Sequence, residues 1–328
     1  MSTAQPSSTD LEFSLIVPCY NEEAVLPLLA ARLLEVLPSL SPDWEVVFVD
    51  DGSSDQTFAL LLALNAQEPR FKALGFSRNF GHQAALSAGL TAVRGRYVGI
   101  IDADLQDPPE LLVPCLAHLR AGYHVAYAVR VKRQEGLFKR LSYAAFYRIL
   151  QRLSEVRVPL DSGDFCVLDR KVVDVLKRLP ERNLFLRGLR AWSGFRQIGV
   201  EYERPARAAG ETKYPFRKLV RLALDGIFSL STTPLRLATY LGVQCLLAAL
   251  LAAAGLIVWH LSNATIFGQS PGQVRGWASL MVVILILNGI QMVMLGCLGE
   301  YVGRIYNESK HRPRWIVREA VGLPQPID

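Results

Sequence analysis

The sequence is poor in cysteine, and the positions of the few cysteines exclude two kinds of site. Five cysteines occur among 328 residues, and none shows the close pairing typical of metal ligands. Some lie in long apolar segments, where cysteine behaves as a small apolar residue. A cytoplasmic domain would keep its thiols reduced. We therefore expect neither a disulfide scaffold nor a thiolate metal centre from Cys19, Cys115, Cys166, Cys245 and Cys297.

Charge is nearly absent from two long stretches towards the carboxyl end. Residues 235–259 contain a single charged side chain, Arg236, and residues 277–298 contain none. About 20 apolar residues are enough to cross a bilayer. The pattern predicts transmembrane helices over residues 234–261 and 277–299, joined by an extracytoplasmic loop over residues 262–276. Two buried helices of a large soluble core are the alternative interpretation.

The distribution of basic residues predicts the orientation of these helices. The loop between them holds one basic residue, Arg275, whereas both flanks are rich in lysine and arginine. Because positive charge stays on the cytoplasmic side, both long ends should face the cytoplasm, with residues 300–328 as a cytoplasmic tail. The net charge of +6 lies mostly beside the membrane, which favours anionic lipid head groups as partners. We expect no nucleic-acid partner, because no aromatic-basic binding motif occurs.

The amino-terminal part lacks an apolar leader, so no signal peptide is expected, and residues 1–12 should be disordered. Short apolar runs then alternate with helical patterns. Strands are predicted at residues 13–18, 44–49, 71–76, 97–101 and 125–129, and helices at residues 21–37, 56–67 and 81–94. This alternation indicates an α/β fold with a mostly parallel sheet covered on both faces.

Later segments carry less regular signals. Residues 136–153 read as a basic amphipathic helix, residues 161–165 as a loop, and residues 215–233 as an amphipathic helix resting on the membrane surface. Small residues in the first apolar stretch would allow close helix packing, either within one chain or in a homo-oligomer. These residues are Gly242, Ala248, Ala252 and Gly255.

The acidic cluster Asp102-Ala103-Asp104-Leu105-Gln106 is the most informative feature. Two carboxylates one residue apart at the end of a strand should point the same way, and like charges that close need a cation between them. A hard divalent ion with oxygen ligands fits. An Asp-rich turn before the next helix is the alternative. Polar clusters also follow the other strands, where ligands of such sheets bind, so we favour the metal site.

These residues resemble family 2 glycosyltransferases of the GT-A fold, in particular the polyprenyl-phosphate glycosyltransferases. The matching strings, in order, are VPCYNEE, VDDGSSD, FSRNFGHQAAL, DADLQDPPE, SGDF and RAAGETKY, and the resemblance covers about residues 13–230. The resemblance implies a GT-A domain over residues 13–214. It also implies that the two apolar helices match the bacterial subgroup, whose members load sugars onto undecaprenyl phosphate.

The resemblance further implies roles for individual residues. The nucleotide would be held by Pro18, Tyr20, Asn21, Glu22, Asp50 and Asp102, where a carboxylate suits the uracil N–H donor. Mg²⁺ or Mn²⁺ would be held by Asp102, Asp104 and Gln106. The acceptor phosphate would be neutralised by Arg130, Lys139 and Arg140, and the donor diphosphate by Arg207 and Lys213. Solvated surface cations are the alternative for each basic residue.

Asp104 and Asp164 are the catalytic candidates that the resemblance implies, Asp164 as general base. A lipid phosphate with a second pKa of about 6 is already largely deprotonated at pH 7, so Asp164 would instead orient a substrate, or cap a loop. One position departs from the pattern: relatives often carry arginine after SGDF, where this chain has Cys166. An active-site cation is then missing or comes from elsewhere.

The predicted activity is inverting, metal-dependent transfer of one sugar, glucose by preference, from a UDP-sugar to undecaprenyl phosphate at the cytoplasmic face of the inner membrane. A processive polysaccharide synthase is the nearest alternative, but its QxxRW-type motif and additional spans are missing. A non-catalytic membrane sensor or scaffold is the alternative from another class, and the acidic cluster argues against it.

Overall fold

The protein was analysed as a computed structural model, and the structure describes residues 11–131, 162–179, 186–203, 233–262 and 277–323. Two compact units divide the chain. The first contains a sheet with its covering helices and the segment from Arg312 onwards, and the second contains two long carboxyl-terminal helices.

The sheet of the first unit has eight strands among the described residues, in the order β7-β5-β6-β4-β1-β2-β3-β8. β1 pairs in parallel with β2 and β4, β2 pairs in parallel with β3, and β5 pairs in parallel with β7. β6 and β8 run antiparallel to their neighbours. The strands are Phe13–Cys19 (β1), Trp44–Asp50 (β2), Phe71–Phe76 (β3), Tyr97–Ile100 (β4), Val125–Val131 (β5), Ser162–Asp169 (β6), Gln197–Glu203 (β7) and Val317–Val321 (β8).

Helices cover both faces of this sheet because successive strand residues point to opposite sides. Phe13, Leu15 and Val17 of β1 pack on one face with α1, α2 and α4, whereas Ile16 packs on the other face with α3, α5 and α6. A 3₁₀ turn, Pro109–Leu111, precedes α4. The helices of this unit are Leu26–Leu40 (α1), Thr57–Gln67 (α2), His82–Ala92 (α3), Leu112–Arg120 (α4), Arg170–Arg178 (α5) and Leu186–Trp192 (α6).

The predicted α/β class with a mostly parallel sheet is confirmed. The first four strands lie where the apolar runs placed them, to within one residue at each end. The first helix begins later than predicted, at Leu26. Asn21 adopts a left-handed φ of 55°, and the amide of Glu22 donates to Thr57 Oγ1 at 2.8 Å. These residues therefore belong to a loop that is held by the next strand–helix connection.

The prediction of a loop at residues 161–165 was wrong for its described part. Ser162–Asp169 forms β6, which lies between β4 and β5 and pairs antiparallel with both. Residues 163–168 are all buried. Gly163 and Asp164 give no strand signal in the sequence, and only the neighbours on both sides make this segment a central strand.

The order in which successive strands are added to the sheet changes direction beside β1. This switch point sets the position of the ligand-binding loops. From β1 the chain moves outward through β2 and β3, and then returns to place β4 on the other side of β1. α1 and α2 lie on one face and α3 on the other. The loops after β1 and β4 therefore diverge and leave a crevice at their carboxyl ends, which is where ligands of such sheets bind.

The second unit contains α7, Thr233–Ser262, and α8, Trp277–Ser309. Large apolar side chains are exposed along both, including Leu251, Leu261, Val293 and Ile305. Within the described part, one segment, Ile286–Ser309, is long and apolar enough to cross a membrane, and Ala238–Ala252 is a shorter apolar stretch. α8 continues ten residues beyond the predicted end at residue 299. The two membrane spans remain a prediction.

The residues that follow α8, predicted only as a tail, contribute to the sheet of the first unit. Val317–Val321 adds β8 to the open edge of β3, Trp315 stacks on Phe76 with ring centroids 6.3 Å apart, and Arg314 donates to the carbonyl of Leu179 at 2.6 Å. The segment therefore covers an edge strand that would otherwise expose unpaired backbone groups.

A buried polar network joins the amino ends of the strands, at the end opposite the crevice. Glu45 accepts from Lys72 at 2.5 Å, from Ser14 at 2.7 Å and from the Arg94 amide at 3.0 Å. Ser14 in turn accepts from the amide of Gly95 at 2.7 Å. These bonds hold β1, β2, β3 and the start of β4 in register. The Lys72 hydrogen bond holds the pKa of Glu45 below its usual value despite burial.

Glu45→Gln is expected to lower the unfolding free energy by about 3 kcal/mol, because Lys72 is then buried without its counter-charge. That corresponds to a drop in Tm of about 6 °C or more, measurable by thermal unfolding of the full chain in detergent. Glu35→Gln is the matched control, because the Glu35 side chain is 67% exposed and its surface ion pair contributes little. Equal Tm shifts for the two variants would contradict the assigned role of Glu45.

Candidate functional site

The loops after β1 and β2 interlock at the crevice. The Asn21 amide donates to Ser53 Oγ at 2.9 Å, and the Ser54 amide donates back to Asn21 Oδ1 at 2.9 Å. The Gln56 amide donates to Glu23 Oε2 at 2.9 Å. These bonds fix the position of Tyr20, whose ring is 48% exposed and available for stacking. The predicted nucleotide-binding strings thus form one rigid surface.

Asp50, the last residue of β2, is fully buried with an open acceptor. Its Oδ1 accepts from the Ser53 amide at 3.1 Å, whereas its Oδ2 has no hydrogen-bond partner. Burial raises the pKa of this carboxyl group above its ordinary value. An unsatisfied buried acceptor is costly, so this oxygen is suited to receive an N–H donor from a ligand.

Asp51 performs a different task from its neighbour. Its carboxylate accepts from the Phe80 amide at 2.7 Å and from the Gly81 amide at 2.9 and 3.2 Å. It therefore holds the turn that leads into α3. Gly52, with a φ of 67°, lies against the backbone of Arg78, where a Cβ would come within 2.3 Å. Asp51 and Gly52 therefore hold the start of α3, including His82, beside the crevice.

Asp102 and Asp104 lie in a turn, which corrects the strand argument made from the sequence. β4 ends at Ile100, and Leu105 has a φ of 52°, so strand alternation does not set the two side chains. Asp104 is exposed, whereas Oδ1 of Asp102 is buried without a hydrogen-bond partner. The two carboxylates are nevertheless close enough to interact electrostatically.

The pKa of Asp102 is raised to about 6, chiefly by burial; His82 opposes the shift, and the negative charges of Asp164, Asp104 and Asp107 add to it. The pKa of Glu22 is raised too, first by burial and then by Asp104, Asp55 and Asp102. The crevice between the β1 and β4 loops thus holds an excess of negative charge. A cation bound there would relieve it.

The oxygen ligands of the acidic turn fit a hard divalent cation whose coordination a bound substrate completes. In the described part of the chain, no group of three His, Cys, Asp or Glu side chains could hold a metal by itself. Asp102 and Asp104 supply carboxylates, one with an unpaired buried oxygen, and Gln106 lies two residues on. Mg²⁺ and Mn²⁺ accept such partial sites when substrate phosphates complete the coordination.

Asp164 is the centre of an ion-pair cluster that reaches Asp102 through His82. Arg187 of α6 donates to both of its oxygens, Nε to Oδ1 at 2.6 Å and Nη2 to Oδ2 at 3.0 Å. His82 Nε2 lies 3.2 Å from Asp164 Oδ2 and 3.7 Å from Asp102 Oδ1. Burial alone would raise the pKa of Asp164, but the bonds from His82 and Arg187 hold it well below its usual range. Asp164 is therefore a permanent carboxylate.

α6 places two arginines near Cys166, the position at which relatives often carry an arginine. Arg187 and Arg190 lie one helical turn apart, so both reach the face of β6 that carries Asp164 and Cys166. Arg190 is 1% exposed, its guanidinium lies 4.9 Å from the Tyr127 ring centroid, and its charge opposes the effect of burial, which raises the pKa of Cys166. The thiol is buried and protonated, and the cations come from α6.

The remaining predicted residues divide into two groups. Pro18 is buried within β1, and Arg130 lies on β5, its backbone in register with Tyr202, but its side chain is not described. The other predicted phosphate ligands lie outside the described residues: Lys139, Arg140, Arg207 and Lys213. Asp107, just after the acidic turn, accepts a hydrogen bond from Tyr202 and so anchors that turn to β7.

Three cationic or titratable side chains at the crevice were not assigned a role from the sequence. His82 stands in a quoted string, FSRNFGHQAAL, as the first residue of α3, and that position could have indicated it. Arg187 and Arg318 carry no local signal, because they reach the crevice from segments far along the chain.

Comparisons with known proteins identify the family of the chain. Residues 14–176 match the family model described as glycosyl transferase family 2. The chain is 44% identical over 318 residues to the uncharacterized glycosyltransferase YkcC of Bacillus subtilis, covering 96% of each chain. It is 40% identical over 309 residues to a prophage bactoprenol glucosyl transferase homolog of Escherichia coli, covering 94% of this chain and 99% of the relative.

A crystal structure of glucosyl-3-phosphoglycerate synthase from Mycobacterium tuberculosis also aligns, with 21% identity, a TM-score of 0.45, and coverage of 69% of this chain and 85% of the other. The family match and the relatives show a glycosyltransferase enzyme, and the mostly parallel sheet is that of a GT-A fold. The chain belongs to glycosyl transferase family 2, as the full-length identities to its members show.

Asp102→Asn is expected to stabilise the metal-free protein increasingly as pH rises. The folded carboxyl group has a pKa of about 6, against about 3.9 in an unfolded chain. Below the lower value both states are neutral and the variant gains nothing; above the higher value only wild type carries the unfavourable charge. The gain is at most about 3 kcal/mol, and less because 34% of the side chain is exposed.

Thermal unfolding in EDTA between pH 4 and pH 8 would measure this difference. Asp174→Asn is the control, since its side chain is 49% exposed. An Asp102→Asn variant whose Tm differs from wild type by the same amount at both pH values would contradict the described electrostatics.

The Asp164–Arg187 pair should show strong energetic coupling in a double-mutant cycle of Asp164→Asn and Arg187→Met. Removing Arg187 takes one of two cationic partners from the buried Asp164 carboxylate and should cost about 3 kcal/mol, with a coupling energy between the two residues above about 1 kcal/mol. The control cycle is Arg170 with Asp174, whose atoms are 3.9 Å apart at the surface and should couple by less than about 0.5 kcal/mol. Equal coupling in both cycles would refute the central role of Asp164.

Proposed function

We propose that the protein transfers a single sugar, glucose, from a UDP-sugar to undecaprenyl phosphate or a related polyprenyl phosphate. The observation that carries the proposal is that two buried oxygens, Asp50 Oδ2 and Asp102 Oδ1, have no hydrogen-bond partner at the edge where β1, β2 and β4 end. The former suits the N–H of a uracil ring, and the latter suits a cation on the diphosphate. The relative in Escherichia coli named a bactoprenol glucosyl transferase homolog supports the choice of lipid acceptor and sugar.

The nucleotide would lie across the interlocked loops. Tyr20 would stack on the base, and Asn21 and Glu22 would line the ribose side. Asp102, Asp104 and Gln106 would hold Mg²⁺ or Mn²⁺ against the diphosphate, where such an ion stabilises the negative charge of the leaving group. Arg130, Lys139, Arg140, Arg207 and Lys213 remain proposed phosphate ligands on the strength of the sequence pattern.

Asp164 would act by orientation rather than by removing a proton. The acceptor phosphate has a second pKa of about 6 and is largely ionised at pH 7, so its oxygen can attack the anomeric carbon directly. The bond from that carbon to the UDP oxygen breaks as the new bond forms, which inverts the configuration. Arg187 and His82 keep Asp164 charged and fixed, and positioning supplies a large part of such catalysis.

Membrane attachment follows from α7 and α8, which we propose as two spans of the cytoplasmic membrane with the sheet domain in the cytoplasm. Their exposed apolar side chains and the lysine and arginine residues outside the connecting loop support this orientation. A polyprenyl tail could then remain in the bilayer while its phosphate enters the crevice. The glucosylated lipid would serve cell-envelope modification.

The test is an in vitro transfer assay with purified full-length protein, undecaprenyl phosphate and a panel of radiolabelled UDP- and GDP-sugars. Label should enter the organic phase from UDP-glucose, and EDTA should abolish the transfer while added Mg²⁺ or Mn²⁺ restores it. Asp102→Asn and Asp104→Asn should each lower the rate by about 100-fold or more, as loss of a charge-stabilising group does.

Asp174→Asn serves as the control in this assay and should transfer at the wild-type rate, because it lies on the exposed face of α5. Label from a GDP-sugar alone would reject the proposed donor. Wild-type rates in both Asp102→Asn and Asp104→Asn would reject the site.

A further inference from the structure

The carboxyl-terminal strand brings an arginine to the proposed base pocket. Arg318 Nη2 lies 3.8 Å from Asp50 Oδ2, and its guanidinium carbon lies 4.8 Å from the centroid of the Phe58 ring. Asp50 is fully buried, whereas 45% of the Arg318 side chain is exposed. The cation therefore stands at the mouth of the pocket and the carboxylate at its base.

A β-bulge aims Arg318 in this direction. β8 pairs with β3 through Ala320 opposite Leu74 and Glu319 opposite Gly75, but Val317, not Arg318, lies opposite Phe76. Arg318 is thus the extra residue of the bulge. Ala320 packs with the core on the α3 face, and regular alternation would turn Arg318 to that same face. The bulge instead turns it towards Phe58, which belongs to the α2 face. Bulges beside active sites re-aim side chains in this way.

A glycine leaves room for this approach. Gly75 lies between Asp50 of β2 and Glu319 of β8 in the sheet register. A Cβ on Gly75 would come within 2.5 Å of the Phe58 ring. Phe58 therefore packs directly on the glycine, and its ring supports the guanidinium that passes over it. Asp50, Gly75, Phe58 and Arg318 together form one continuous wall of the pocket.

Arg318 and Asp50 do not form a hydrogen bond with each other. The separation of 3.8 Å exceeds hydrogen-bond distance, and Asp50 Oδ2 has no hydrogen-bond partner. The wall thus presents an acceptor and, beside it, a cationic donor on a side chain that can rotate. A ligand edge with an N–H next to a carbonyl oxygen complements this pair.

We propose that Arg318 is a donor-specificity residue that binds a ring carbonyl of uracil while Asp50 accepts from the adjacent ring N–H. The inference rests on the proposed function, which takes a UDP-sugar as donor. The carbonyl assigned to Arg318 is O4, which cytosine replaces with an amino group, and cytosine also has an unprotonated nitrogen where uracil has the N–H. With cytosine, an N–H donor would therefore face the Arg318 cation and a lone pair would face the Asp50 carboxylate. The segment that follows α8 would therefore contribute to choosing the nucleotide.

The experiment measures binding of UDP, UMP and CDP to the full-length protein by calorimetry, with wild type, Arg318→Ala and Arg318→Lys. Arg318→Ala should weaken UDP and UMP equally, by about tenfold or more, because one hydrogen bond to a charged group is lost. The preference for UDP over CDP should fall by a similar factor. Arg318→Lys should be intermediate, because it retains the charge but not the planar fork.

Arg178→Ala is the matched control, since this arginine is exposed at the end of α5, and it should bind all three nucleotides as wild type does. Thermal unfolding checks that each variant is folded, and Arg318→Lys preserves the cation beside Asp50 if Arg318→Ala is unstable. Unchanged UDP affinity, or an unchanged UDP preference over CDP, in a folded Arg318 variant would overturn the inference.

A loss confined to UDP, with UMP unaffected, would also overturn it, because Arg318 would then bind the second phosphate rather than the base. A wild-type protein that binds no uridine nucleotide would overturn the proposed donor and this inference together. Wild-type binding of UDP with an unaffected Arg318→Ala overturns the inference alone.

Discussion

Unbalanced negative charge at the carboxyl ends of β1, β2 and β4 is the constraint on which the site depends. Asp50 and Asp102 each keep a buried oxygen without a hydrogen-bond partner, and burial raises the pKa of both carboxyl groups. Such groups destabilise a folded protein unless a ligand completes them. The opposite ends of the same strands show a contrasting solution, because the buried Glu45 there is satisfied by Lys72, Ser14 and the Arg94 amide.

The carboxylates of the site therefore fall into two functional kinds. The carboxylates of Asp51 and Asp164 are hydrogen-bonded within the protein itself. Asp51 accepts from backbone amides of the turn before α3, and Asp164 is bonded by Arg187 and His82. Asp50, Asp102 and Asp104 remain open to ligands. His82 touches both kinds, since it lies between Asp164 and Asp102. A substitution at Asp51 or Asp164 should therefore affect the carboxylates that remain open to ligands, because His82 of α3 lies between the two kinds.

The segment after α8 gives the sheet its outer edge and places a cation beside the base pocket. β8 protects β3, Trp315 packs on Phe76, and the bulge at Arg318 turns a long side chain across Gly75. One short segment thus combines edge protection with a contribution to the proposed nucleotide site. The same residues read from the sequence alone were only part of a basic flank beside an apolar helix.

Local patterns in the sequence determined the parts of the fold that local physics controls. Apolar runs fixed β1 to β4 because buried parallel strands need continuous hydrophobic residues, and the uncharged stretches fixed α7 and α8 as long helices. The family followed from ordered strings around Asp50 and Asp102, whose chemistry lies in a few adjacent residues. The orientation of the Asp102–Asp104 pair did not follow, because a left-handed residue at Leu105 replaces the strand geometry that alternation assumes.

Tertiary structure alone decided the contacts between distant segments. β6 is a strand because β4 and β5 flank it, Arg187 meets Asp164 because α6 packs on that face, and Arg318 meets Asp50 because β8 pairs with β3. Side-chain type gives no sign of such partners when the residues are far apart in the chain. The sequence determined β1 to β5 and the acidic loops, whereas only the packed sheet decided which charges are paired and which stay open for a ligand.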